Sequence, residues 1–174
     1  MYDLMLIDRT ILNKSLIDLT HYSDDIIEKY FAYKSLINES IDLNQQDNQG
    51  RTVLIKAIEE GKENILKLLI QRGASINLAD QQERTPLHVA VQIKHSPIIA
   101  YLLAQHPLVN VLNNRDETPL HIAVRNQDFE AVTMLLLTDP DLDILDRDQE
   151  TVLSLVIKSK NIDLIRIFAA KLRN

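Results

Sequence analysis

Two histidines with the same local sequence are the first candidates for chemistry in this chain. His88 and His121 each lie within a Thr-Pro-Leu-His run. A metal site built on them would need further ligands at short spacing. The other three histidines are scattered, and the chain has no cysteine. We therefore predict no metal site and no cofactor.

The acidic stretch from 139 to 150 is the second candidate. Its carboxylates at the first, third, fifth and twelfth places match the calcium-binding loop of an EF-hand. The sixth place, however, is Ile144, where such a loop needs glycine and a β-branched side chain would be strained. We interpret the stretch as an acidic loop tip.

Patterns typical of enzymes and of several other classes of protein are missing from the sequence. There is no glycine-rich phosphate loop, no Gly-x-Ser-x-Gly motif and no Cys/His pair. A formal net charge of −6 disfavours nucleic acid and anionic membranes as partners. No apolar run approaches the ~20 residues of a membrane span, and the first residues do not resemble a signal peptide. We predict a non-enzymatic, cytoplasmic protein with no nucleic-acid or membrane partner; secretion without a cleaved signal is the alternative.

The elements that carry the two histidines are repeated. Residues 85–91 read Thr-Pro-Leu-His-Val-Ala-Val and residues 118–124 read Thr-Pro-Leu-His-Ile-Ala-Val. The same 33-residue offset leads to related runs at 52–58 and 151–157. Four copies at a constant period indicate a repeat protein.

Each motif predicts the start of a helix. Thr85 and Thr118 suit an N-cap, where the hydroxyl accepts a hydrogen bond from a free backbone amide. Pro86 and Pro119 then take the first helical position, where the missing N–H costs nothing. A second apolar run, at about 63–71 in the first clear repeat, predicts an outer helix beside the inner one.

The Thr-Pro-Leu-His-x-Ala run resembles the hallmark of the ankyrin repeat, whose unit has the same length. The resemblance covers 47–174 well and 14–46 faintly. It implies an all-α fold, an ankyrin-repeat solenoid of stacked helix-turn-helix units with short hairpin-like loops. It also implies that the motif histidines bond backbone near the turn. We predict one domain over 1–174, divided into a degenerate N-terminal capping repeat at about 1–46, repeats at 47–79, 80–112 and 113–145, and a C-terminal capping repeat at 146–174.

The resemblance further implies a protein-protein interaction module that binds an unidentified partner protein through its concave face. That face consists of the loop tips and the exposed ends of the inner helices. The predicted tip residues are Asn48, Gln49, Arg51, Gln81, Gln82, Arg84, Asn114, Arg115, Glu117, Arg147, Asp148 and Glu150. The predicted inner-helix residues are Glu59, Glu60, Gln92, Ile93, Arg125, Asn126, Lys158 and Ser159. We expect Arg84, Arg115 and Arg147 to anchor the partner and to be dispensable for folding. The alternative function is a structural or assembly protein that self-associates through a terminal repeat.

Some positions depart from the repeat pattern. His106 and Asp139 replace Gly73 and are followed by proline. Because neither takes the left-handed backbone conformation as readily as glycine, we expect both turns to deviate. Ser96, which precedes Pro97, is the expected N-cap of the second outer helix.

Both ends of the chain depart further. Five of the eight aromatic residues precede position 47, and we interpret them as cap packing, with a partner-binding patch as the alternative; they are Tyr2, Tyr22, Tyr30, Phe31 and Tyr33. Val156 replaces an alanine of the earlier repeats, as we expect for a repeat with no successor. In the last helix we expect one packed apolar stripe, made of Ile162, Ile165, Phe168, Ala169 and Leu172. Leu164 and Ile167 lie off this stripe, so a weak homodimer through the C-terminal helix is a further hypothesis.

Overall fold

The structure is a computed structural model that describes residues 16–36 and 40–173. Within these ranges a short 3-10 helix, Leu16–Leu19, is followed by nine α-helices. They are α1 Asp24–Leu36, α2 Val53–Glu59, α3 Glu63–Gln71, α4 Pro86–Gln92, α5 Ser96–Leu103, α6 Pro119–Arg125, α7 Phe129–Leu136, α8 Val152–Ser159 and α9 Ile162–Leu172. None of these helices has the length and apolar character that a membrane crossing needs.

The helices form a stack of pairs. The inner helices α2, α4, α6 and α8 pack one after another, and each also packs against the outer helix that follows it in the chain. The outer helices α5, α7 and α9 also pack in sequence. One continuous apolar core runs through these contacts. The predicted all-α ankyrin solenoid is confirmed, whereas the residue boundaries of the repeats stay a prediction.

The four inner helices begin in the same way. The hydroxyls of Thr52, Thr85, Thr118 and Thr151 each accept the backbone N–H three residues later, at 3.2–3.5 Å. Pro86 and Pro119 occupy the first helical position, as predicted.

The predicted cap of the second outer helix is wrong. Ser96 is the first residue of α5, and His95 precedes the helix without a capping side-chain bond. The Ser96 hydroxyl instead donates to a carboxylate oxygen of Glu130 at 2.6 Å, one repeat further on.

The turns keep one backbone conformation despite their different residues. In the described ranges, every residue with positive φ falls in one of three columns, that is, sets of positions related by the 33-residue period. The columns are Gly50, Glu83, Asp116 and Gln149; Gly61, Lys94, Gln127 and Lys160; and Gly73, His106 and Asp139. The left-handed conformation costs a non-glycine residue about 1–2 kcal/mol. Such strain persists where the surrounding structure over-determines the backbone, as repeat stacking does here.

The expectation that the turns at His106 and Asp139 deviate was therefore wrong. Their φ angles are 54° and 55°, in the same region as Gly73 at 92°. What changes is a hydrogen bond: the N–H of Ala74 donates to Leu69 O at 3.0 Å. Proline at the equivalent positions 107 and 140 has no N–H to donate.

The N-terminal segment packs onto the first clear repeat. Tyr30 and Phe31 are buried in the core, which confirms cap packing for these two aromatics. Tyr2 and the side chain of Tyr33 lie outside the described residues. The ammonium group of Lys62 donates hydrogen bonds to the backbone carbonyls of Thr20 and Tyr22. These bonds hold the N-terminal segment against the stack.

The face with which the last helix packs matches the predicted stripe only in part. Phe168 of that stripe is buried, but so is Leu164, which lies off it, and Ile167 packs at the edge of the core. Ile162, Ile165 and Leu172, which we expected to be packed, are exposed. Leu164 and Phe168 lie in the columns of Ile65 and Leu69, so the repeat register decides which apolar side chains are buried.

Candidate partner-binding surface

One side chain closes each loop of the predicted concave face. Asp47, Asp80, Asn113 and Asp146 occupy one repeat column, and Oδ1 of each accepts the backbone N–H groups two and four residues later, at 2.8–3.0 Å. Aspartate and asparagine favour such turns because their short side chains bond local backbone. Asp146 therefore has a structural role in the acidic stretch.

The loops join side by side. Gln81 N donates to Gln49 O at 3.0 Å, Asn114 N to Gln82 O at 2.9 Å and Arg147 N to Arg115 O at 3.1 Å. These bonds bring the predicted tip residues of successive repeats into one row. The row holds no group of three or more His, Asp or Glu side chains that could bind a metal ion, and neither does the rest of the described chain.

A ladder of polar pairs runs from the loops to the ends of the inner helices. Each pair joins the last loop residue to the residue eight positions later. Arg51 contacts Glu59 at 3.2 Å and Arg84 contacts Gln92 at 2.9 Å. In the next repeats the charges are exchanged.

Glu117 pairs with Arg125 at 3.1 Å, and Glu150 pairs with Lys158. The order of charges therefore reverses between the second and third clear repeats, while a polar pair is kept in each. The reversal explains why this column holds Arg in the first two clear repeats and Glu in the next two.

Arginines of the ladder also connect neighbouring repeats. Arg84 reaches back to Glu59 at 3.4 Å, and Arg125 reaches forward to Asp146 and Asp148. Burial by itself raises the pKa of Asp146, but the backbone N–H of Glu150 and the Arg125 guanidinium outweigh it and hold the pKa below the usual value. These pairs therefore stabilise the stack as well as line its surface.

The two motif histidines have structural positions beneath this surface. His88 Nδ1 accepts the N–H of Thr85 at 3.1 Å, so Nε2 carries the proton that is donated to Glu117 O at 3.0 Å. His121 makes the same contact with Thr118 N at 3.3 Å. The implied bonds to backbone near the turn are confirmed. Burial lowers the pKa of His88 to about 4, and burial also lowers the pKa of His121.

The structure gathers most predicted residues into three shallow depressions. A central cavity of about 220 Å³ between the second and third clear repeats is lined by Gln82, Arg84, Gln92, Asn113, Asn114, Arg115, Glu117, Ile122, Arg125 and Asn126. A second depression adds Arg147 and Asp148, and a third contains Asn48, Gln49 and Arg51. Outside these three lie Glu59, Glu60, Gln81, Ile93, Glu150, Lys158 and Ser159.

The prediction missed two residues of the central cavity, Asn113 and Ile122. Both lie in columns that the other repeats use for structure: Asn113 closes a loop, and Ile122 corresponds to the buried Val89. The only signal in the sequence was the change from Asp to Asn at position 113.

Among the predicted binding residues that are bonded within the fold, Arg84 and Glu117 are also largely buried. The Arg84 side chain is only 17% exposed and bonds the buried carboxylate of Asp80 at 2.6 Å. Glu117 is buried between Asn113 and Arg125. The expectation that Arg84 is dispensable for folding therefore needs correction, because its removal would leave Asp80 buried without its cation.

Five predicted polar residues have exposed side chains that make no side-chain hydrogen bond or ion pair with the described part of the chain. They are Asn48, Gln49, Gln82, Asn114 and Arg115, and the last three of them line the central cavity. The hydrogen bonds between successive loops order the backbone of these residues, so the positions from which the side chains project are fixed.

Comparison with known proteins agrees with this architecture. The family model for ankyrin repeats (three copies) matches residues 26–111 and 103–173. No curated protein matches the chain. Ankyrin repeats are in general protein-protein interaction modules. Because the family model matches most of the sequence and the helix pairs stack as it requires, the chain belongs to the ankyrin repeat family.

Proposed function

We propose that this protein is a non-catalytic module that binds a partner protein through its concave face, centred on the cavity between the second and third clear repeats. The observation that carries the proposal is the free set of Gln82, Asn114 and Arg115 in that cavity. The predicted residues around them contribute the walls. Cytoplasmic localisation and the lack of nucleic-acid and membrane partners stay predictions of the sequence.

The free side chains suit recognition of a polypeptide. The amides of Gln82 and Asn114 each offer donors and an acceptor that match the backbone of a partner segment. Arg115 adds a guanidinium group, and exposed arginine is a frequent anchor of protein interfaces. Because the loops beneath are already ordered, binding loses little conformational entropy.

The test starts from capture of partners from a lysate of the source organism, followed by mass spectrometry. The affinity of the identified, purified partner is then measured by calorimetry. We expect Gln82→Ala, Asn114→Ala and Arg115→Ala together to weaken binding at least ~10-fold. The control combines Gln71→Ala and Arg166→Ala on the outer helices, where both side chains are exposed. Unchanged affinity for the first variant, or an equal loss for the control, would contradict the proposal.

Self-association through a terminal repeat is the second candidate function. The observation that favours it is the set of large apolar side chains that the last repeat leaves exposed, among them Ile157, Ile162, Ile165 and Leu172. A rise in mass with protein concentration would support this function, and a constant monomer mass would exclude it.

A further inference from the structure

Ile157, at the end of the inner helix α8, is exposed where earlier repeats bury the equivalent residue. Ile58, Val91 and Val124 occupy the same column and are at most 2% exposed. Ile157 is 71% exposed. Within the described residues, a further repeat covers the first three of these side chains, and no element covers Ile157.

The outer helix α9 shows the same contrast. Ile165 is 43% exposed, whereas Leu66, Ile99 and Val132 in its column are fully buried. Leu153 is half-buried in a column where the other three leucines are buried. The last repeat thus keeps apolar residues at the positions that contact a following repeat, although end repeats are expected to be polar there.

The backbone is open at the same end. The carbonyls of Gln49, Gln82 and Arg115 each accept an N–H from the following loop. Asp148 stands in their column, and its carbonyl accepts no hydrogen bond from the described residues. We call Leu153, Ile157 and Ile165 the end face.

Other exposed apolar residues of the last repeat do not belong to this face. Ile162 is exposed, but its column holds Glu63, Ser96 and the exposed Phe129 in earlier repeats. It is therefore not a position of repeat-repeat contact, and it supplies a matched control.

Charge is segregated around the end face. The segment 139–150 contains six carboxylates and one basic residue, Arg147. The segment 151–173 contains five basic residues and one carboxylate, Asp163. In a two-fold symmetric contact the apolar face of one chain packs against the same face of the other chain. The acidic loop of one chain can then lie against the basic helices of the other.

We propose that two copies of this chain associate through the end face in a two-fold symmetric contact. In this contact the partner's end face covers the apolar side chains that a following repeat covers elsewhere in the stack. This proposal specifies the self-association named above as the second candidate, and rests on it.

Sedimentation velocity over the micromolar range tests the contact. We expect the mass of the wild-type chain to rise from 20.0 kDa towards twice that value. Ile157→Glu and Ile165→Glu should each weaken the dimer at least ~10-fold, because a carboxylate would be buried in an apolar contact. Ile162→Glu should dimerise like the wild type. Circular dichroism checks that the three variants keep their helical content.

Cysteine cross-linking tests the symmetry, since the natural chain has no cysteine. Ile157→Cys should form a disulfide-linked dimer under mild oxidation, and Ile162→Cys should not. Masses beyond the dimer would overturn the two-fold contact in favour of head-to-tail stacking. A dimer that survives both Ile157→Glu and Ile165→Glu would place self-association elsewhere and overturn this proposal alone. A monomer throughout the micromolar range would overturn both the two-fold contact and self-association as the second candidate function.

Discussion

Arg125 Nε lies 3.1 Å from Glu117 Oε1, and this pair reverses the order of charge found between Arg51 and Glu59. The two pairs occupy the same positions of the repeat, in the third and the first clear repeat. The reversal shows that the architecture requires a complementary pair there and does not require a particular sign at either position. Each member, however, depends on its partner, because the loop side of the pair is largely buried.

Loss of Arg125 should therefore destabilise the fold. Arg125→Ala would leave Glu117 and Asp146 buried without their cation, which we expect to cost about 1–3 kcal/mol of unfolding free energy. The value is below that of a fully buried pair because Arg125 itself is partly exposed to solvent. Urea denaturation measures the change. Arg147→Ala is the control, since this exposed side chain should change stability by no more than ~0.5 kcal/mol; equal losses would refute the distinction.

The motif leucines should show how much burial depends on a following repeat. Leu87 is buried, so Leu87→Ala should cost roughly 2–5 kcal/mol. Leu153 stands in the same column of the last repeat but is half-buried. Leu153→Ala should therefore cost roughly half as much, or about 1–2 kcal/mol. Chemical denaturation of the two variants checks the order, and a larger loss for Leu153→Ala would show that the column comparison is wrong.

The buried His88 should make stability depend on pH. Its pKa in the folded chain is about 4, below the ordinary value of 6.5, so the unfolded chain takes up a proton that the folded chain does not. Above about pH 6.5 the imidazole is neutral in both states, and the full free energy of unfolding is kept. As the pH falls towards 4, protonation of the unfolded chain lowers the free energy of unfolding by up to about 3 kcal/mol. His121 acts in the same direction because its pKa is also lowered.

Denaturation midpoints between pH 4 and pH 7 test this dependence. His88→Ser, which copies Ser154 of the last repeat, should flatten the profile, whereas His106→Ser at an exposed position should not. An unchanged profile for His88→Ser would contradict the assignment. Further loss at lower pH has a different source, since Asp47 and Asp146 have pKa values below the usual 3.8.

The left-handed turn residues offer a route to higher stability. Lys160 ends helix α8 with φ 53°, and its side chain is exposed. Lys160→Gly should raise the unfolding free energy by roughly 0.5–1 kcal/mol, because glycine takes this conformation without strain. Lys160→Ala serves as the matched variant and should give no gain. Equal thermal midpoints for the two variants would show that the backbone angle does not limit stability.

Much of the fold could be predicted from the sequence because its determinants are local. Thr85 and Pro86 start a helix through short-range bonding and sterics, and their recurrence at a constant period defines the unit that stacks. In the same register Asp146 stands in the column of Asp47 and Asp80, so the repeat accounts for this acid without a calcium site. The register also placed Gln82, Asn114 and Arg115 on one surface.

Other features were decided only by the tertiary structure, because they depend on what lies beside a residue in space. Stacking holds His106 and Asp139 in a conformation that their own preferences disfavour. In helix α9, contact with the preceding repeat buries Leu164 beside Phe168 and leaves Ile165 exposed, against the predicted stripe. Likewise, the sequence determined that Arg84 lies at a loop, but its contact with Glu59 of the preceding repeat follows from the packing of one repeat on the next.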